Sequence, residues 1–142
     1  LITKHAHGLE PLFAGAYGPD FNNFDRMETI SFEGGLWPEH KNWGFQSYVE
    51  YADPSCDDEM WTIGAEPIWR YKTFYTGFGL ALSDERLCNL AGTKWNFSIT
   101  LGLRISKRFD IQWRHRSHGA DLGILEDTPN LGINLIQLRV RR

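Results

Sequence analysis

The chain has 142 residues, enough for one domain with a single core or a small closed barrel. It sets 15 Lys and Arg against 18 Asp and Glu, a formal charge of −3, with the basic residues scattered, so nucleic-acid binding has no footprint. The longest apolar run falls far short of the roughly 18 residues that a spanning helix needs, so any membrane span must be made of strands.

The opening LITKHAHG lacks the charged and apolar regions of a secretory signal, which suits a cytosolic, a mature or a trimmed chain alike. His5 and His7 have a spacing that could hold a metal, but no third ligand lies near them in sequence, and neither metal nor cofactor is expected. Beyond them, aromatic and β-branched residues recur with period two between intervals rich in Gly, Pro, Asn and Asp, and long helical patterning is absent. The fold class is therefore all-β, and residues 1–142 read as a single domain. Strands are expected over about 9–18, 26–37, 42–52, 60–72, 73–83, 93–106, 108–117 and 132–141. In the fourth, Pro67 has no N–H to give a ladder and is expected at an edge or a bulge.

The sixth strand is the clearest. Trp95, Phe97, Ile99, Leu101, Leu103 and Ile105 make one face wholly apolar, while Asn96, Ser98, Thr100, Gly102 and Arg104 make the other small or polar. In the seventh, Phe109, Ile111 and Trp113 share a face with His115 and Ser117, opposite Asp110, Gln112, Arg114 and Arg116. In the eighth, Ile136, Leu138 and Val140 share a face with Asn134, opposite Gln137, Arg139 and Arg141.

Connection lengths alternate. PEHK, the Tyr71–Thr73 region and SKR are short, whereas GPDFNNFD, ADPSCDDE, DERLCNLAGT and the stretch after Ser117 are longer. Such alternation describes an up-and-down meander, which with eight strands closes into an antiparallel barrel and crowds the long loops at one rim. Cys56 and Cys88 fall in two of those loops, either as a loop-tying disulfide or as two free thiols. Asp57, Asp58 and Glu59 read as a solvated loop, with a bound divalent cation as the sharper alternative. The polar faces carry Glu50, Glu66, Arg70, Arg104, Asp110 and Arg114, and the apolar faces carry Trp43, Phe45, Trp61, Trp69, Phe78, Trp95 and Trp113. So many large apolar residues favour a membrane barrel, apolar outside and with ion pairs in its lumen, over a soluble lipid-binding barrel with its aromatics inside. Phe97, Ile99, Leu101, Ile111, Trp113 and Leu138 should then face out, and Glu50, Glu66, Arg70 and Arg104 in.

The most suggestive stretch is RHRSHGADLGILEDTPNLGIN, residues 114–134. His115 and Ser117 stand two apart at a strand end, so both leave the same face, and if the seventh and eighth strands pair antiparallel, Asn134 returns beside His115. A hydroxyl, an imidazole and a polar third group can meet there. Alone, His-x-Ser also describes an ordinary solvated strand end.

From the fourth strand onward the order PIWRY (67–71), GFGLALS (77–83), WNFSITLGLRI (from 95), HRS (115–117) and PNLGIN (129–134) resembles the PagL-type lipid A 3-O-deacylases, eight-stranded barrels of Gram-negative outer membranes. The likeness covers roughly the C-terminal 80 residues; the first three strands agree only in pattern. In that family the His and Ser of an HxSN segment are general base and nucleophile, and an acid just after a PNxGI segment orients the His. The resemblance implies that Ser117 is a nucleophile and His115 its base. It departs from the family where His118 replaces the Asn after the nucleophile, where the acid position is Asn134, and where the chain closes on RVRR instead of an aromatic residue.

Ester cleavage also needs oxyanion donors, for which the backbone N–H groups of His118, Gly119 and Ala120 are candidates. Asn134 is the expected orienting group, with Glu126 or Asp121 folding back from the loop as alternative acids. The implied function is a serine esterase removing a hydroxyacyl chain from lipid A, so the implied partners are lipid A or lipopolysaccharide and membrane lipid. A homodimer or a larger membrane assembly stays open. The competing reading is a noncatalytic outer-membrane barrel serving interaction or packing.

Overall fold

A computed structural model describes residues 9–19, 28–38, 42–53, 59–84, 94–117 and 132–142, which form eight strands with no helix among them. These are β1 (Leu9–Pro19), β2 (Glu28–Pro38), β3 (Trp43–Asp53), β4 (Met60–Tyr71), β5 (Phe74–Ser83), β6 (Trp95–Arg104), β7 (Phe109–Ser117) and β8 (Ile133–Arg141). Each pairs antiparallel with the next, and β8 pairs back onto β1, closing the barrel. The expected strands agree with these bounds to within two residues. Closure matters energetically because it gives edge N–H and C=O groups partners that hydrocarbon could not supply.

Pro67 corrects one expectation. A closed barrel has no edge, and β4 holds a single register with β5 on both sides of the proline, from Ala65↔Leu80 to Ile68↔Gly77. The pairing lapses opposite Phe78 and Gly79 and resumes without an inserted residue, while Pro67 stays paired to Phe45 on β3. The missing N–H is thus absorbed by a gap in one ladder instead of a bulge.

The short connections lie at one rim. Lys72 and Thr73 alone join β4 to β5, and in the β6–β7 turn the Ser106 hydroxyl accepts from the backbone N–H groups of Arg108 and Phe109 at 3.2 and 3.1 Å. Most outward side chains are apolar and open: Phe32 is 68% exposed and Phe13 63%. Leaving such a side chain in water forfeits roughly 1.5–3 kcal/mol relative to burial, so this wall is built for an apolar surrounding.

The inward side chains form the opposite environment. Arg114, Arg116 and Arg139 are wholly buried beside Glu33, Glu50 and Glu66. Arg114 reaches Glu33 at 2.8 Å and lies 3.8 Å from the Tyr48 ring centre, Arg116 reaches Glu50 at 2.6 Å, and Arg139 bridges Glu33 at 2.5 Å and Asp110 at 3.3 Å. Gln112 donates to both Glu33 and Gln137 at 2.7 and 2.9 Å. Room for two tyrosines comes from glycine: a Cβ on Gly64 would fall 2.2 Å from Tyr48 Cζ, and one on Gly102 1.9 Å from Tyr75 Cζ. On β6 the inward position beside the Tyr75 ring is glycine for this reason. Buried charges of this kind are tolerable only when paired and hydrogen-bonded.

Candidate functional site

His115 and Ser117 end β7 at the long-loop rim, and Asn134 is the second residue of β8. The β7–β8 register places His115 opposite Asn134, while on the other side His115 faces Ile99 and Ser117 faces Phe97 of β6. Alternation alone therefore delivers all three polar side chains to the outer wall. His115 and Ser117 are half-buried there; Asn134 is 8% exposed.

Asn134 is covered because two aromatic side chains converge on its amide. Its Oδ1 lies 3.0 Å from His115 Nδ1 and accepts a hydrogen bond from Trp113 Nε1 at 3.2 Å. The Trp113 and His115 rings stack with centroids 5.8 Å apart and planes 23° from parallel. An indole nitrogen can only donate, so the atom facing it must be the amide oxygen. The same oxygen then requires a proton on His115 Nδ1, which leaves Nε2 as the basic nitrogen of the neutral ring. Trp113 was legible in the sequence only as an aromatic of the apolar wall. Its position two residues before His115, on the same face and diagonal to Asn134, was the available signal.

Gly132, just before β8, has a φ of +67°, and a Cβ there would meet His115 Cε1 at 2.6 Å. Both the backbone conformation and the close approach of the imidazole require glycine at this point. On the other flank, Phe97 stacks on Phe78 with centroids 5.9 Å apart, and Trp95 meets Phe97 edge-on at 5.7 Å. From Trp95 and Leu80 an open groove of about 810 Å³ runs across the outer wall over Ala65, Ser47 and Gly34. Ser47 turns its hydroxyl back onto the Gly34 carbonyl at 3.4 Å, which keeps the groove floor apolar.

The arrangement can do acid–base chemistry on an amphiphile: an imidazole of fixed tautomer, a hydroxyl two residues away and an aromatic wall beside it. His118, Gly119, Ala120, Asp121 and Glu126 lie outside the described residues, as do His5, His7, Cys56, Cys88, Asp57 and Asp58. Glu59 is described and exposed at the long-loop rim.

No protein-family model matches the chain, and no curated protein matches it in sequence. Solved structures do match in fold. The outer membrane enzyme PagL superposes with a TM-score of 0.57 at 12% identity, covering 93% of this chain and 98% of its own. Neisserial surface protein A (NspA) superposes with a TM-score of 0.58 at 16% identity, covering 94% of each chain. The fold is that of eight-stranded outer-membrane barrels, shared here by a protein described as an enzyme and one described as a surface protein.

Proposed function

We propose that this chain is a serine esterase of the Gram-negative outer membrane that removes an ester-linked hydroxyacyl chain from lipid A or lipopolysaccharide. The observation that carries the reading is the His115–Asn134 pair, with Nδ1 tied at 3.0 Å and Ser117 on the same outward face. A catalytic base and hydroxyl on the lipid-facing wall have little structural purpose, whereas an amphiphile's ester sits at that depth. Ser117 Oγ attacks the ester carbonyl as its proton passes to His115 Nε2, and the tetrahedral intermediate collapses as that proton goes to the leaving sugar oxygen. Water then hydrolyses the acyl-enzyme by the same route in reverse. The backbone N–H groups of His118 to Ala120 are the proposed oxyanion donors. The apolar groove beginning at Trp95 suits the acyl chains of such a substrate.

A neutral Asn134 fixes the tautomer of His115 but stabilises the imidazolium less than a carboxylate would, so catalysis is expected to be slower than with an acid. That same substitution favours the alternative reading, a noncatalytic barrel acting as an interaction or structural subunit. Mass spectrometry of lipid A from cells producing the wild-type protein or Ser117→Ala separates the two. Loss of one hydroxyacyl group in the wild type alone supports the esterase. An unchanged acyl pattern, with folded protein in the outer membrane, transfers the reading to the interaction subunit.

A further inference from the structure

The charges exposed at the two rims differ in sign. Among the described residues, Asp53, Glu59 and Asp84 are exposed at the long-loop rim beside Lys94, whereas Lys72, Lys107, Arg108 and Arg142 are exposed at the short-turn rim. Asp110, at that second rim, is buried and held by Arg139 and Arg141 at 3.3 and 3.0 Å.

Where β8 closes on β1, this cationic rim meets an apolar notch. The seam is short, running from Ala14↔Arg141 to Tyr17↔Leu138. Gly15 lies within it, opposite Val140 on β8 and Phe32 on β2. Gly15 has no side chain to fill the wall, and a Cβ built on it would find its nearest neighbour, Ser31 O, 3.9 Å away. The result is an open groove of about 780 Å³, walled by Phe13, Phe32 and Val140 and reaching Arg108 and Arg142 at the rim. Phe13 and Phe32 also form the ridge that divides it from the groove leading toward Trp95.

We infer that this seam is a binding site for an anionic phospholipid of the bilayer leaflet on the short-turn side. Arg108 and Arg142 hold the headgroup phosphate, and one acyl chain lies over Gly15 between Phe13, Phe32 and Val140. The match is one of charge and shape together. Guanidinium groups pair with phosphate oxygens in a fixed fork geometry, and a groove that starts beneath them on the outer wall admits a chain already in the bilayer. Arg141 strengthens the local field while its own guanidinium stays committed to Asp110 and the Ser106 carbonyl. The site is at the opposite rim from His115 and Ser117 and does not depend on catalysis there.

Native mass spectrometry of the full chain, released from micelles containing phosphatidylglycerol or phosphatidylcholine with identical acyl chains, tests it. The expected result is preferential retention of phosphatidylglycerol that shrinks with added salt and falls by about fivefold for each of Arg108→Gln and Arg142→Gln. Gly15→Phe should reduce retention of both lipids by filling the notch. Lys72→Gln, whose ammonium lies over the Tyr71 ring on another part of the rim, should leave both unchanged. Equal retention of the two lipids overturns the inference, as does an undiminished preference in the double arginine variant. A loss in Lys72→Gln as large as in the arginine variants would also overturn it, because the rim would then act only as diffuse charge. If Gly15→Phe does not fold, the surface arginine variants decide alone.

Discussion

Arg114 and His115 are consecutive in sequence and belong to two polar systems separated by the thickness of one sheet. Arg114 points into the lumen, where Glu33, Glu50 and Glu66 surround it at 2.8, 3.6 and 3.8 Å, and it shares these partners with other buried side chains. His115 points outward into a small neutral group, with one hydrogen bond to Asn134 and one stacked indole. The lumen holds many charges because each supports several others, and its polarity is explained by packing alone. The outer cluster stands apart from that network: the bland account of it is a solvated strand end, and apolar side chains would serve a wall in lipid better. Polarity on the side where it is least useful to the fold is what marks a candidate site.

The sharpest way to test this contrast is to remove one member of each system. Ser117→Ala is expected to abolish deacylation by at least about a thousandfold, with unfolding in denaturant unchanged, because a half-buried strand end accepts the smaller side chain. Full activity in a folded Ser117→Ala barrel would exclude the hydroxyl as nucleophile. Arg114→Ala should do the reverse. It leaves buried carboxylates short of a cation and should lower stability by about 3–5 kcal/mol, measured by urea unfolding in lipid vesicles, while His115 keeps its hydrogen bond. Unaltered stability would show that the lumen network does not brace the barrel.

Within the outer cluster the effects should grade downward. Asn134→Ala removes the acceptor that holds His115 Nδ1 in the step that charges the ring, and is expected to slow deacylation about ten- to a hundredfold. Asn134→Glu should match or exceed the wild type. The competing assignment puts the acid on the loop, so Glu126→Gln is assayed alongside: an inactive Glu126→Gln with a fully active Asn134→Ala would move the orienting role to Glu126. The smallest change is expected for Trp113→Phe, which keeps the ring and removes the N–H. Losing one neutral hydrogen bond should cost about two- to tenfold in rate, and ¹⁵N shifts of His115 should show the Nδ1-protonated tautomer losing its dominance. An unchanged tautomer would mean that the Asn134 amide is oriented by something other than the indole.

The fold was largely legible because a barrel wall exposes the period-two signal without interference. In β6, Trp95 to Leu103 alternate so strictly that face, strand and membrane orientation follow from one another. Register at the site was legible as well, since a strand leaving at Ser117 and returning near Ile133 sets His115 against Asn134. Pro67 was misjudged because the rule about proline concerns its N–H, and sequence does not reveal that one ladder can skip two residues and keep step. Trp113 was missed for a related reason. On a lipid-facing strand an indole reads as a wall residue, and only the diagonal contact across to Asn134 discloses what its N–H does. The inward glycines Gly64 of β4 and Gly102 of β6 have no reason visible in the sequence, because the rings they accommodate, Tyr48 and Tyr75, come from other strands.

The close packing of the lumen has a further consequence. Gln46, Gln112, Gln137, Arg114, Arg116 and Arg139 have no solvent-accessible surface at all, so no continuous file of water passes between them. Set in a planar bilayer under voltage, this barrel should behave as an insulator, adding no ohmic current however many copies insert. With the lumen closed, the surfaces this barrel offers to other molecules are its two rims and its outer wall, and the outer wall is met by diffusion in the plane of the membrane.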